Sequence, residues 1–174
     1  MNFRAQPLAA LVLTELQRRT ETVATAESLT GGLLGVLLTN VPGASVSYLG
    51  GVISYATRLK GTLAGVSPAT LQAVGPVAEQ TAAEMAEGIC RRCQADWGVA
   101  TTGVAGPEPQ DGHPVGEVFV AVAHPASGLL RVKALSLTGD RMAVRTRAAE
   151  HAVELLADAL GIAAEAGHRV RHET

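Results

Sequence analysis

Apolar residues between Leu8 and Leu16 recur at helical spacing, and the pattern then shifts to a short strand over Glu21 to Ala26 and a helix over Gly32 to Leu38. Asn40-Val-Pro42-Gly43 ends that helix with turn chemistry, and Tyr48 to Ala56 is a β-branched, glycine-containing strand. Ser67-Pro68 has the form of an N-cap with a first-turn proline, Gly75-Pro76 is a stop, and Glu79 to Arg92 places Ala, Met and Ile at helical spacing. Trp97 to Thr102 is a short apolar strand that runs into Gly103-Val-Ala-Gly106-Pro107 and a polar loop over Glu108 to Pro114, a candidate binding edge. Gly116 to His124 and Leu129 to Leu137 are strands around a Pro-Ala-Ser-Gly turn. Asp140 then caps a last helix with Val144, Ala148, Ala152, Leu155, Leu156 and Ala159 on one side.

The order α-β-α-β-α-α-β-β-β-α puts helices between the early strands, which predicts an α/β fold with a mostly parallel sheet covered on both faces. The late hairpin adds one antiparallel strand. No repeat, linker or low-complexity run divides the 174 residues, and an apolar content of 47% is ample for one core. A single domain is expected, with its core over about residues 8 to 160 and only His168 to Thr174 frayed.

The longest apolar stretches, Leu8 to Leu13 and Leu33 to Leu38, fall far short of the roughly 20 residues that cross a bilayer. With no cleavable signal pattern at the N-terminus, a cytoplasmic location and no membrane partner are expected. A formal charge of −2 and an aromatic content of 3% argue against nucleic acid as a partner, since neither a broad basic face nor stacking platforms are available. Cys90 and Cys93 stand in Cys-Arg-Arg-Cys near a helix end, without the further ligands a zinc site needs, and read as reduced helix residues. Composition leaves oligomeric state open, a homo-oligomer included.

The chemistry concentrates in Ala24-Thr-Ala-Glu27-Ser28-Leu-Thr30-Gly31-Gly32, a strand running into a hydroxyl- and glycine-rich turn that opens a helix. The free N–H groups of a helix's first turn can hold a phosphate or a developing oxyanion. Serine needs a base, yet His113, His124, His151, His168 and His172 are poorly placed for one, with only His113 in a loop where a ligand could touch it. No Gly-x-Ser-x-Gly elbow surrounds Ser28 and no phosphate loop of the Gly-Lys-Ser/Thr type occurs. The chain has two lysines, Lys60 and Lys133. Tyr55 lies at the carboxyl end of the second strand and Lys60 about one helical turn further, on the sheet edge that carries Ser28. A lysine acts as a base near neutral pH once burial or nearby cations lower its pKa. Spacing alone favours the plainer reading of Lys60 as a solvated helix residue.

Four separated motifs then occur in order: Thr25-Ala-Glu27-Ser28-x-Thr30-Gly31-Gly32, Tyr55 with Lys60 five residues on, Gly103-Val-Ala-Gly106-Pro107 with Pro114-Val-Gly116, and Gly139-Asp140-Arg141 with Arg145. Together they resemble the CinA C-terminal domain family, which includes the nicotinamide-nucleotide amidohydrolases, over roughly Leu8 to Leu160. The resemblance implies a three-layer α/β/α sandwich with a mixed, mostly parallel sheet of the CinA-like, anticodon-binding-domain-like kind. It implies deamidation of nicotinamide mononucleotide to nicotinate mononucleotide and ammonia, in pyridine-nucleotide salvage, without metal or cofactor. Carried onto matching positions, Ser28 is the nucleophile, Lys60 its base, and Tyr55 a hydroxyl assisting proton transfer, while Glu27 orients the lysine or the substrate.

Beside the resemblance, the backbone around Thr30, Gly31 and Gly32 is a candidate oxyanion hole. Arg141 and Arg145, four apart at the start of the last helix, are candidates for the substrate phosphate. Spacing alone favours an ordinary salt-bridged helix start for that pair. Gly103 and Gly106 either admit a ligand close to the backbone or form the turn before Pro107, and Thr102 is a further candidate contact. Two departures from the family pattern stand out, Glu108-Pro109-Gln110 where a glycine pair is common and His113 where a basic residue is common. The pyrophosphatase-linked N-terminal domain of larger members is not expected in this chain. The alternative function is a non-enzymatic CinA-type domain acting through a protein partner in competence or the DNA-damage response.

Overall fold

The computed structural model describes residues 3–162. The expected frayed segment His168 to Thr174 lies outside the described residues. The chain runs α1 (Gln6–Arg19), β1 (Val23–Glu27), α2 (Leu33–Thr39), β2 (Tyr48–Ile53), α3 (Thr57–Thr62), α4 (Pro68–Val74), α5 (Glu79–Cys93), β3 (Trp97–Gly103), β4 (Glu117–His124), β5 (Leu129–Ser136) and α6 (Arg141–Leu160). Ser67 caps α4 by accepting from Thr70 N–H, and Asp140 caps α6 by accepting from Ala143 N–H, as their positions in the sequence require.

The five strands lie in the order β2-β1-β3-β4-β5. β1 is parallel to β2 and β3, while β4 is antiparallel to both its neighbours, so one strand runs against the other four. This is the mixed, mostly parallel sheet that the element order requires. Along β1 and β3 the side chains alternate between two cores. Val23 and Val99 join Val120 and Val122 against α1, α2 and α6, whereas Ala24, Ala26 and Ala100 join Ala121 and Ala123 against α5. The alanine-lined face is what lets α5 approach closely, and an added Cβ at Gly98 would lie 2.0 Å from Ala86 O. Helices on both faces complete three layers, α/β/α.

One helix stands outside the expected element order, although Lys60 reads as a helix residue. The strand read through Ala56 ends at Ile53, and the chain turns at Ser54 to Ala56 into α3, six residues whose single buried side chain is Lys60. No apolar period marks so short a helix. Among the described residues no helix is long and apolar enough to cross a membrane.

The topology decides where a site can form. β1 leads through α2 on one face to β2, and β2 returns past β1 to β3 through a path ending in α5 on the other face. The carboxyl ends of β2, β1 and β3 therefore open on a crevice at the point where the strand order reverses. β5 points the same way as these three strands, so α6 begins at the same edge.

Candidate active site

Ser28 follows β1 directly, with its N–H donating to Thr101 O at 3.0 Å and its C=O accepting from Gly31 N–H at 3.1 Å. Gly31 and Gly32 then take φ of +58° and +99°, left-handed values that a side chain would strain. Glu27, 2% exposed, turns its carboxylate into the start of α2. Its Oε2 accepts from Gly32 N–H at 2.8 Å and Leu34 N–H at 3.1 Å, and its Oε1 from Gly35 N–H at 2.9 Å. The helix terminus that could hold a phosphate or a developing oxyanion is thus occupied largely from within. Of the turn's amides, Gly31 and Gly32 are engaged, while Leu29 and Thr30 N–H have no acceptor among the described residues.

Lys60 is buried, 2% exposed, rather than solvated. Its Nζ lies 2.6 Å from Ser28 Oγ and donates to Ser54 O at 3.1 Å. Among the described residues no carboxylate forms an ion pair with it. Burial alone lowers the Lys60 pKa from 10.5 to about 8, because nothing opposite in charge repays the desolvation of an ammonium. α3 reaches this position because Gly88 on α5 has no Cβ: one added there would lie 1.8 Å from Ala64 O.

Both groups open on a cavity of about 130 Å³. Its walls are Ser28, Leu29, Thr57 and Lys60 on one side, and Pro76, Val77, and Thr102 to Gly106 on the other. Tyr55, Glu108, Gln110 and Arg141 complete the lining. Tyr55 is 57% exposed, and its hydroxyl accepts from Arg141 Nη2 at 2.6 Å rather than bonding to Ser28 or Lys60. Arg141 Nη1 also donates to Gly106 O, so one guanidinium bridges the loops after β2 and β3.

The remaining expected residues fall in and around this frame. Thr30 is fully buried with Oγ1 2.8 Å from Thr101 Oγ1. Thr102 Oγ1 donates to Pro76 O at 2.6 Å and fixes the opposite wall. Gly103 lines the cavity at a close approach, since a Cβ there would lie 2.5 Å from Glu117 O. Arg145 is not in the lining, and its Nε and Nη2 donate to Leu29 O and Thr30 O, each at 2.9 Å. Pro76, Val77 and Thr57 line the cavity without a sequence signal for it, since Gly75-Pro76 reads only as a stop and no motif marks Thr57. His113 pairs with Glu117 at 2.9 Å, His151 with Glu154 at 2.6 Å, and the His124 ring sits 4.5 Å from that of Trp97. His168 and His172 lie outside the described residues. Cys90 is buried, which pushes its thiol up to about 12, an inert group rather than a reactive one.

Comparison with known proteins identifies relatives of this fold. The CinA C-terminal domain profile matches residues 5–160. A CinA-like protein of Frankia casuarinae is 46% identical over 149 residues, 86% of this chain and 34% of the relative. A putative competence-damage inducible protein of a Geobacillus species is 41% identical over 150 residues, 86% of this chain and 36% of the relative. The chain thus spans about a third of the length of these curated relatives. The crystal structure of competence/damage inducible protein CihA from Agrobacterium tumefaciens superposes with a TM-score of 0.86 at 33% identity, covering 92% of this chain and 99% of that one. A CinA superfamily protein from Klebsiella pneumoniae gives 0.85 at 31% identity, covering 91% and 98%. The profile covers every strand and helix described above, and the chain belongs to the CinA C-terminal domain family.

Proposed function

We propose that this domain is a Ser/Lys amidohydrolase that deamidates nicotinamide mononucleotide to nicotinate mononucleotide and ammonia. The observation that carries the reading is the 2.6 Å approach of Lys60 Nζ to Ser28 Oγ in a buried site where, among the described residues, no carboxylate pairs with the amine. Neutral Lys60 takes the Ser28 proton as Oγ attacks the carboxamide carbon. The tetrahedral oxyanion is met by the Leu29 and Thr30 amides, in place of the engaged Gly31 and Gly32. Lys60 returns the proton to the departing nitrogen, which leaves as ammonia. Water, deprotonated by the same amine, then hydrolyses the acyl-serine ester to the carboxylate and restores Ser28.

The cavity of about 130 Å³ is well below the roughly 300–1,000 Å³ of pockets that enclose a drug-sized ligand. The reacting carboxamide end enters it beside Lys60, and ribose and phosphate lie across the mouth, where the exposed Arg141 guanidinium completes the lining. Purified protein incubated with nicotinamide mononucleotide should release ammonia, and Ser28→Ala and Lys60→Ala should each abolish it. Ammonia release no greater from the wild type than from the variants refutes the reading. It would favour a second one, a domain that acts through a protein partner in competence or the damage response; the names of the relatives carry the link to competence and damage, not the partner.

A further inference from the structure

We infer that Arg145, on the amidohydrolase reading above, is a positioning residue for the Ser28 turn and not a ligand for the substrate phosphate. It holds two successive carbonyls, Leu29 O through Nε and Thr30 O through Nη2, from a helix that starts more than a hundred residues later. Hydrogen bonds from an ionised donor are the strong ones, and a planar guanidinium fixes direction as well as distance. Pinning a carbonyl also aims the next amide, because C=O and N–H of a trans peptide point opposite ways. Gly31 N–H, opposite the Thr30 carbonyl, is turned back onto Ser28 O at 3.1 Å. Thr30 N–H, opposite the Leu29 carbonyl, is directed away from Arg145 and left without a described acceptor.

The fit is close: a Cβ at Gly31 would come within 3.0 Å of Arg145 Nη2. Glu27 grips the same turn from the amide side, so the segment that presents Ser28 is held by a cation on its carbonyls and an anion on its N–H groups. Arg145 is half-buried and outside the cavity lining, whereas Arg141, one turn earlier, faces it. Without the guanidinium the turn relaxes and Ser28 Oγ drifts from Lys60 Nζ, and a misplacement of about 1 Å costs roughly 100-fold in reactivity.

The test uses phenylmethylsulfonyl fluoride, a small probe without phosphate that sulfonylates an activated serine and releases fluoride. Ser28 labelling is timed in the wild type, Arg145→Ala, Arg145→Lys and the control Arg147→Ala, an exposed arginine of α6 whose Nη1 donates to Thr138 O, beside kinetics on nicotinamide mononucleotide and its dephosphorylated nucleoside. Expected is a fall in Arg145→Ala labelling of roughly 100-fold, partly restored by added methylguanidinium, with kcat on nucleotide and nucleoside falling together. Arg145→Lys should fall in between, since an ammonium does not span both carbonyls with fixed geometry, and it carries the comparison if Arg145→Ala does not fold. Labelling of either Arg145 variant at the wild-type rate, with weaker affinity for the nucleotide alone, overturns the proposal. Labelling needs no substrate, so a wild type that is labelled yet releases no ammonia defeats the substrate assignment and leaves Arg145 to be judged by labelling alone.

Discussion

Arg141 and Tyr55, 86 positions apart in the chain, meet across the mouth of the cavity with Nη2 donating to the hydroxyl at 2.6 Å. Both residues are exposed, so the contact adds little to stability. Its importance is geometric: it holds a guanidinium over the opening through which a substrate tail must leave. A charge-assisted bond from Arg141 to phosphate is worth about 1.5–3 kcal/mol, or roughly 10- to 100-fold in affinity. Arg141→Ala should therefore raise KM for nicotinamide mononucleotide by that factor and change kinetics on the nucleoside little. Ammonia release measured on both substrates checks it, and equal losses on the two would remove Arg141 from phosphate binding.

Tyr55→Phe separates two roles for the hydroxyl. A group that only orients Arg141 affects KM for the phosphorylated substrate, by less than tenfold, because a solvent-exposed contact from a guanidinium is worth at most about 1 kcal/mol. A proton-transfer role would instead lower kcat on nucleotide and nucleoside alike, and would require the hydroxyl to leave Arg141. The split between kcat and KM decides between them.

The pH profile follows from Lys60, whose pKa is lowered to about 8 by burial. The neutral amine is the active form, so kcat/KM should climb about tenfold per pH unit below 8 and level off above it. A steady-state series from pH 6 to pH 9.5, with far-ultraviolet circular dichroism to exclude unfolding, tests this. A flat profile would mean that Lys60 is not the group that takes the proton.

What the sequence left hidden is tertiary. β1 and β3 are short runs of small, apolar and threonine residues bounded by turn residues, and they are readable because both of their faces are buried. α3 is not, because Thr57–Thr62 has no apolar period and the chain just after it packs against Gly88, whose missing Cβ admits Ala64 O. The burial of Lys60 is likewise a property of its neighbours. Arg145 and Glu27 were recognisable as charged residues near the motif, yet their partners are backbone groups of the Ser28 turn. Spacing along a sequence marks side chains that recur, and it is silent on which carbonyl or amide a distant guanidinium or a nearby carboxylate will find.

A base that must be buried lowers stability. In the folded protein Lys60 binds its proton below about pH 8, whereas in the unfolded chain it does so below 10.5. Between those values the unfolded state carries the extra proton, so stability rises with pH across that window. Below about pH 8 the penalty is constant, roughly 3 kcal/mol. Lys60→Met fills a similar volume without the charge, at the loss of the contacts to Ser28 and Ser54. We expect an inactive variant that is more stable than the wild type by about 1–3 kcal/mol at pH 7. The gap should close toward pH 10.5, as read by urea denaturation across the range. A variant less stable at pH 7 would show that the amine is not charged and desolvated in the fold.

Glu27→Gln tests the other grip on the Ser28 turn. The carboxylate has acceptor oxygens only, and it uses both, on Gly32, Leu34 and Gly35 N–H. A glutamine has the same length but offers one oxygen and one NH2, so at least one N–H in a 2% exposed site must face a donor. The favourable charge at the start of α2 is lost as well. The expected cost is roughly 1–3 kcal/mol of folding stability, measured by denaturant midpoint with unchanged m-value. Because Gly32 is part of the turn that carries Ser28, kcat should fall too, with KM for the substrate nearly constant. If carboxylate capping is what holds the turn, Glu27→Gln will slow Ser28 labelling as well as deamidation. A variant as stable and as active as the wild type would leave the glycines and Arg145 as sufficient supports and remove Glu27 from the positioning of the nucleophile.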